Sequence, residues 1–145
     1  MPNTNVYEAN YKRLTKVIDL EKIKEASHVK MKSSGFMNLN FDFLGAHSDG
    51  RISISMAHNY IQNGDVMADP DMVLLVDQKN ETVEALTFQQ DSLGIYQEVY
   101  TDSTMKQYYP RLKQELNAFL GQWLRNILQQ GYLVPAAEPV ANIGA

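Results

Sequence analysis

The stretch that decides the fold is residues 37–56: Met37-Asn38-Leu39-Asn40-Phe41-Asp42-Phe43-Leu44-Gly45-Ala46-His47-Ser48-Asp49-Gly50-Arg51-Ile52-Ser53-Ile54-Ser55-Met56. Met37, Leu39, Phe41 and Phe43 alternate with Asn38, Asn40 and Asp42, and Ile52, Ile54 and Met56 alternate with Arg51, Ser53 and Ser55. Successive side chains of a strand point to opposite faces, so a period of two marks a strand with one apolar face and one wet face. Ser48-Asp49-Gly50 supplies the turn between the two runs, because Asp-Gly reaches positive φ at little cost. The stretch predicts a β-hairpin buried on one side and lined by Asn, Asp, Ser and Arg on the other.

Toward the N-terminus, Tyr7, Tyr11, Leu14 and Ile18 recur at helical spacing and predict a helix over Val6 to Ile18. Asp19 is placed to cap a short second turn through Leu20, Ile23 and Ala26, and Ser33-Ser34-Gly35 ends it. Toward the C-terminus, Gln62 to Asp71 reads as a loop anchored by Asn63-Gly64 and Asp69-Pro70. Met72 to Val76 reads as a buried strand, Lys79-Asn80-Glu81 as a turn and Val83 to Phe88 as the returning strand. Gln89 to Gly94 then forms a second loop, and Ile95 to Tyr100 a fifth strand. Short connections make neighbours antiparallel, so the expected sheet is a five-stranded antiparallel meander. Leu112, Leu116, Phe119, Leu120, Trp123, Leu124, Ile127 and Leu128 then form an apolar stripe of a long amphipathic C-terminal helix. Pro110 suits its first turn and Gly131 its C-terminal cap. The fold class is α+β, with both helices packed on one face of the sheet. One domain is expected over residues 1–134, followed by a disordered tail, 135–145.

At 145 residues the chain can hide roughly 68–70% of the surface it exposes when unfolded, enough for a core without staples. It has no cysteine, which excludes disulfides and thiolate metal sites and fits a reducing compartment. Met1-Pro2-Asn3-Thr4-Asn5 has neither a basic nor an apolar leader pattern, and no apolar run reaches the roughly 20 residues that span a bilayer. A cytoplasmic location without membrane contact is expected. The net charge is −4, and direct nucleic-acid binding, which needs a basic surface, is not expected. Lys22, Lys24, Lys30 and Lys32 read as a solvated face.

Asp65, Asp69 and Asp71 fall within seven residues and offer oxygen ligands of the kind a hard cation takes, although their spacing departs from an EF-hand loop. The plainer reading is that Asp65 and Asp69 brace turns through bonds to nearby backbone N–H groups. His28, His47 and His58 reproduce no zinc spacing. His58 reads as a partly buried structural histidine, with acid–base chemistry as its alternative. No nucleophile elbow, phosphate-binding loop or dinucleotide fingerprint is present, and no cofactor is implied.

In a meander, alternate connections share one end of the sheet. The turns at Asp49-Gly50 and Asn80 are expected at one end and the stretches 62–71 and 89–94 at the other. The C-terminal helix is expected to bring Arg125 toward Asp65, Asp69, Asp71 and Asp91. Asn63, Asp65, Asp69, Asp71, Asp91 and Arg125 are therefore the expected binding residues.

Asn63-Gly64-Asp65-Val66-Met67-Ala68-Asp69-Pro70-Asp71-Met72, then Gln89-Gln90-Asp91-Ser92-Leu93-Gly94-Ile95-Tyr96, then Phe119-Leu120-Gly121-Gln122-Trp123-Leu124-Arg125-Asn126, resemble a family of small uncharacterised domains typical of bacterial plasmids, phages and integrative elements. The order of elements is also similar to the YqiB-like domain of unknown function. The resemblance spans about Tyr11 to Tyr132 and implies an accessory gene of a mobile element; it carries no ligand or catalytic residues. The leading expectation is a non-enzymatic module that binds a macromolecule, a protein partner, through this end of the sheet or its adjoining edge. The alternative is a metal-assisted enzyme using the Asp-rich stretch and His58. A third is an acidic inhibitor of a host defence system, competing with nucleic acid.

Overall fold

The structure, a computed structural model, describes residues 5–134; the expected tail at 135–145 lies outside them. Two helices come first, α1 (Val6–Val17) and α2 (Leu20–Ala26), followed by strands β1 (His28–Met31), β2 (Asn38–Ala46), β3 (Ile52–Gln62), β4 (Asp65–Asp77), β5 (Thr82–Ala85) and β6 (Thr87–Gln90). A 3₁₀ turn (Asp91–Leu93), β7 (Ile95–Glu98) and α3 (Pro110–Gln130) complete the order. The α+β class, the antiparallel sheet and the N- and C-terminal helices are as expected. Seven strands stand where five were expected, in the order β1-β2-β3-β4-β6-β7, with β5 pairing the remaining half of β4.

The helix ends follow local chemistry. Asn5 caps α1 by accepting from the N–H of Glu8, and Asp19 caps α2 by accepting from that of Glu21. Gly131 ends α3 in the left-handed region at φ 70, where a side chain would be strained. The hairpin read from residues 37–56 forms as β2 and β3, paired from Asn38↔Asn59 to Ala46↔Ile52 with a bulge between Phe43 and Gly45.

The structure corrects three expectations. The stretch Gln62 to Asp71 is not a loop. Asn63 and Gly64 both adopt positive φ, at 53 and 84, so the chain reverses in two residues and the β3–β4 ladder resumes at Gln62↔Asp65. A register shift between Ala57 and Asn59 absorbs the extra residues at Asp69 and Pro70. Likewise, Val83 to Phe88 is not one strand. It breaks at Leu86 into β5 and β6, which pair with different halves of β4, and the second expected loop stays in strand to Gln90 before its 3₁₀ turn. Finally, His28–Met31 adds an edge strand in which Val29 and Met31 are buried and His28 and Lys30 exposed. Four residues are too few for alternation to stand out.

One apolar cluster joins Leu14 and Ile23 of the N-terminal helices, Leu39, Phe41, Ile54, Met56, Met72 and Leu74 of the sheet, and Leu120, Trp123 and Leu124 of α3. The helices all lie against this face. A polar pair pins them. Asn117 of α3 accepts from the N–H of Ala85 through Oδ1 (2.9 Å), donates to the Lys113 carbonyl (2.8 Å), and through its own carbonyl accepts from Asn10 Nδ2 of α1 (2.9 Å). Asn10 and Asn117 are fully buried. Gly121, one turn on, lets α1 approach: a Cβ there would lie 2.9 Å from Asn10 Oδ1.

Replacing Asn117 with Ala strands the buried Ala85 N–H and leaves a gap, so the chemical denaturation midpoint should fall by the equivalent of roughly 2–4 kcal/mol. Gly121→Ala is a test of sign. Helix propensity alone favours alanine by about 1 kcal/mol, so a net loss of stability would report the clash with Asn10.

Candidate functional site

All helices cover one face of the sheet, and the other face presents the polar half of the β2 and β3 alternations, with Val73 and Leu75 of β4 opposed to Ser55 and Ser53. Registered pairs carry a row across it, Lys30↔Asn40↔Ala57↔Asp71↔Gln89↔Tyr96, from one edge strand to the other. Residues opposed in a ladder share a face, so this row is continuous. Its polar side chains are fixed by one another. Asn40 Nδ2 donates to Asn59 Oδ1 (2.7 Å), Asn59 Nδ2 to the Met67 carbonyl (3.3 Å), and Ser55 Oγ to Asp42 Oδ2 (3.4 Å). His28 Nδ1 lies 2.7 Å from Asp42 Oδ1.

At the β1–β3 side, this face sinks into a depression of about 410 Å³ lined by His28, Lys30, Asn38, Asn40, Asp42, Asn59, Tyr60, Ile61 and Val66. Ile61 and Val66 oppose each other near the tip of the β3–β4 hairpin, and each is 68% exposed. The floor is therefore hydrogen-bonded and polar, and the rim carries two apolar side chains in water.

Of the six residues expected to bind, Asp69, Asp71 and Asp91 lie near one another around the 3₁₀ turn, and Asn63, Asp65 and Arg125 do not join them. Asn63 forms the turn, and Asp65 beside it is exposed. Asp69 accepts from Ser92 Oγ (2.8 Å), tying β4 to the 3₁₀ turn. Asp91 makes the same tie from the other side, accepting from the Ala68 N–H (2.7 Å) and from Gln89 Nε2 (2.8 Å). These bonds, the Ala68 amide first, hold its carboxyl below the usual range. Asp71 lies in the row across the uncovered face. Burial first, then the charges of Asp42 and Asp91, push its carboxyl up. Arg125 is elsewhere. It donates to Gln122 of its own helix (3.1 Å), and its guanidinium lies beside Gly121 and Arg13. Four residues on from Gly121, Arg125 shares the side of α3 that abuts α1. Among the described residues it makes no ion pair with an aspartate.

His58 faces the helix layer, only 8% exposed. Its Nδ1 accepts from Trp123 Nε1 (3.2 Å), while its ring meets Trp123 edge-on and stacks on Tyr132. Its Nε2 has no hydrogen-bond partner among the described residues. Burial lowers its pKa to about 4, against a small opposing pull from Asp69. The expected structural role is what this geometry supplies. Asp71, on the other face, does not share its site, and no group of three His, Asp or Glu among the described residues is gathered as a metal would need.

The residues that line the depression were not among those expected, apart from the general polar face. One signal points to part of them: Asn63-Gly64 as a two-residue turn, which projects Ile61 and Val66 onto the same face.

The architecture defines an α+β domain with a seven-stranded antiparallel sheet covered on one face by helices. Residues 9–133 match the Domain of unknown function (DUF6908), and the chain belongs to that family. No match was found among curated proteins or among solved structures. No helix among the described residues is long and apolar enough to cross a membrane.

Two measurements check this geometry. The His58 pKa is lower in the folded chain, near 4, than its ordinary 6.5, so its contribution is complete above pH 6.5 and is lost as pH falls toward 4. Stability should therefore drop by about 3 kcal/mol across that window, and His58→Gln should flatten the slope. Second, Asp91→Ala should cost about 1 kcal/mol by freeing the Ala68 N–H, whereas Arg125→Ala should change thermal stability by no more than about 0.5 kcal/mol.

Proposed function

We propose that the protein is a non-enzymatic binding module whose recognition surface is the uncovered face of the sheet, centred on the depression between β1, β3 and the Ile61–Val66 rim. The observation that carries this reading is the division of labour between faces: one is closed by helices, and the other holds a polar floor with an exposed apolar rim. Lateral hydrogen bonds such as Asn40–Asn59 restrict the floor before any partner arrives, which reduces the ordering cost of association. A protein is the partner this chemistry suits. The depression offers Lys30 and a histidine already engaged by Asp42, on a chain of net charge −4, a poor match to a phosphate backbone.

The resemblance to domains of plasmids, phages and integrative elements extends the proposal to its setting. The protein acts as an accessory factor of a mobile element in the cytoplasm and engages a host protein, with inhibition of a defence system as the consequence. That extension draws its support from the resemblance and from the absence of cysteine.

A photo-crosslinking residue at position 61 should capture a partner from host lysate, and the same residue at the exposed Lys16 position of α1 should not. With that partner purified, Ile61→Asp and Val66→Asp should each weaken binding by at least about tenfold while the melting temperature stays unchanged. Capture from position 16 alone, or full affinity in both aspartate variants, would move the binding surface off this face.

A further inference from the structure

The sheet has three free edges, and the chain treats them differently. At β5, the N–H of Ala85 is taken by Asn117, and Glu84 is held by Lys113 Nζ at 3.2 Å and by the Tyr100 hydroxyl. At β1, the adjoining Lys32 exchanges two backbone bonds with Leu133, of 2.9 and 3.0 Å. The outer edge of β7 is covered only beyond its end, where the Tyr109 N–H donates to the Val99 carbonyl (3.0 Å) and Tyr100 pairs with Tyr108. Val99 donates to the Leu86 carbonyl, and with the register Phe88↔Gln97 and Gln90↔Ile95 this turns the backbone of the odd positions toward β6. Alternation then directs the N–H and C=O groups of Tyr96 and Glu98 outward. No other backbone segment among the described residues bonds to them. An unpaired edge of this kind is a template for another strand.

Beside that edge runs a groove of about 490 Å³, between β7 and the start of α3, lined by Gln97, Glu98, Tyr109, Arg111, Leu112 and Glu115. Tyr96 and Tyr109 are each 57% exposed. Glu98 and Glu115 enter no ion pair among the described residues.

We infer that the outer edge of β7 accepts one added antiparallel strand, an extended peptide segment of a partner protein that reads basic, apolar, apolar from its N-terminus. Opposed residues share a face, which fixes the pattern. The residue opposite Gln97 turns toward the groove and packs on Leu112 and the Tyr109 ring. The residues opposite Glu98 and Tyr96 turn to the uncovered face. The first meets the Glu98 carboxylate, which engages Tyr96 but makes no ion pair among the described residues, and is basic; the second lies along the exposed Tyr96 ring and is apolar. Main-chain bonds to Tyr96 and Glu98 hold the strand, and the side chains select it. This surface is separate from the depression at β1–β3, so the inference stands whether or not that depression binds a protein.

The probe is a display library of random peptides of about a dozen residues, panned on the full chain, with enriched sequences synthesised. Enrichment of the basic–apolar–apolar triplet is expected. Bound peptide should slow hydrogen exchange at the amides of Tyr96 and Glu98 by at least about tenfold and leave that of Gln97, already directed at β6, unchanged. Glu98→Pro removes an outward N–H without touching the β6 ladder, so binding should weaken by at least about tenfold at an unchanged melting temperature. Glu98→Gln should weaken only peptides that carry the basic residue. Methylating alternate amides of the peptide keeps the test open should the proline variant fold poorly: those facing β7 abolish binding, and those facing away do not. No enrichment, protection at β1 or on the uncovered face in place of Tyr96 and Glu98, or wild-type affinity in a folded Glu98→Pro variant would overturn the inference.

Discussion

Asn117 joins the parts of this fold that have no other reason to stay together. β5 is an edge strand, and the Ala85 N–H, in a non-hydrogen-bonded pair with Leu74, points away from β4 into the helix layer. An amide side chain on α3 supplies the acceptor, and its own N–H is satisfied one turn back by the Lys113 carbonyl. The same residue's carbonyl takes the Asn10 side chain of α1, and Arg13 donates to the other end of that amide at 2.9 Å. Two helices and an interrupted strand are thus fixed in one phase, because an amide without these partners would be costly to bury. A buried polar network with every member satisfied is also directional. Apolar contacts alone would let α3 slide along the sheet.

That directionality explains why the faces of the sheet differ so sharply. With α1 and α3 locked together at Gly121, the helix layer is wide enough to close one face, from Ile23 near β1 to Leu116 near β5, and no helix among the described residues covers the other. Trp123 extends the lock across the layer to His58 of β3, and Tyr132 stacks on the same imidazole and donates to the Met37 carbonyl (2.6 Å). The chain after α3 is thereby carried back to the β1 side, where Leu133 pairs with Lys32. The uncovered face is what the polar half of every alternating strand was built for. Its side chains bond sideways to one another.

Where a pattern lies within one element, the sequence declares it. The β2–β3 hairpin, the stripe of α3, the caps at Asp19 and Gly131, and the shared end of the turns near Asp49 and Asn80 follow from residues adjacent in the chain. Features that depend on phase between elements do not. Arg125 was expected among the aspartates because it lies late in α3, but its angle about the helix axis sends it to α1. Asp65, Asp69 and Asp71 suggested one loop because they are close in sequence. A two-residue turn at Asn63-Gly64 instead strings them along β4, where bulge and alternation decide which way each points. β1 was invisible because two buried residues in four are no pattern, yet with it come His28 and Lys30 in the lining of the depression.

The carboxylates show why residue type alone identifies so little here. Asp91, at the start of the 3₁₀ turn after β6, and Asp71 of β4 have the same chemistry, but their protons are biased in opposite directions. The backbone N–H of Ala68 and the Gln89 amide favour the ionised form of Asp91. Asp71 has no such donor, and burial together with the charges of Asp42 and Asp91 favours its neutral form. Asp91 is committed to holding the 3₁₀ turn against β4, and little of its charge is left over for a ligand. Asp71 carries the unrelieved charge of the uncovered face, in the row that runs from Lys30 to Tyr96. A cationic group of a partner near Asp71 would relieve that repulsion, whereas the same group at Asp91 would compete with bonds already made. Asp71 on the uncovered face is thus still short of a partner, and the hydrogen-bonded turn at the end of β6 holds that face in shape.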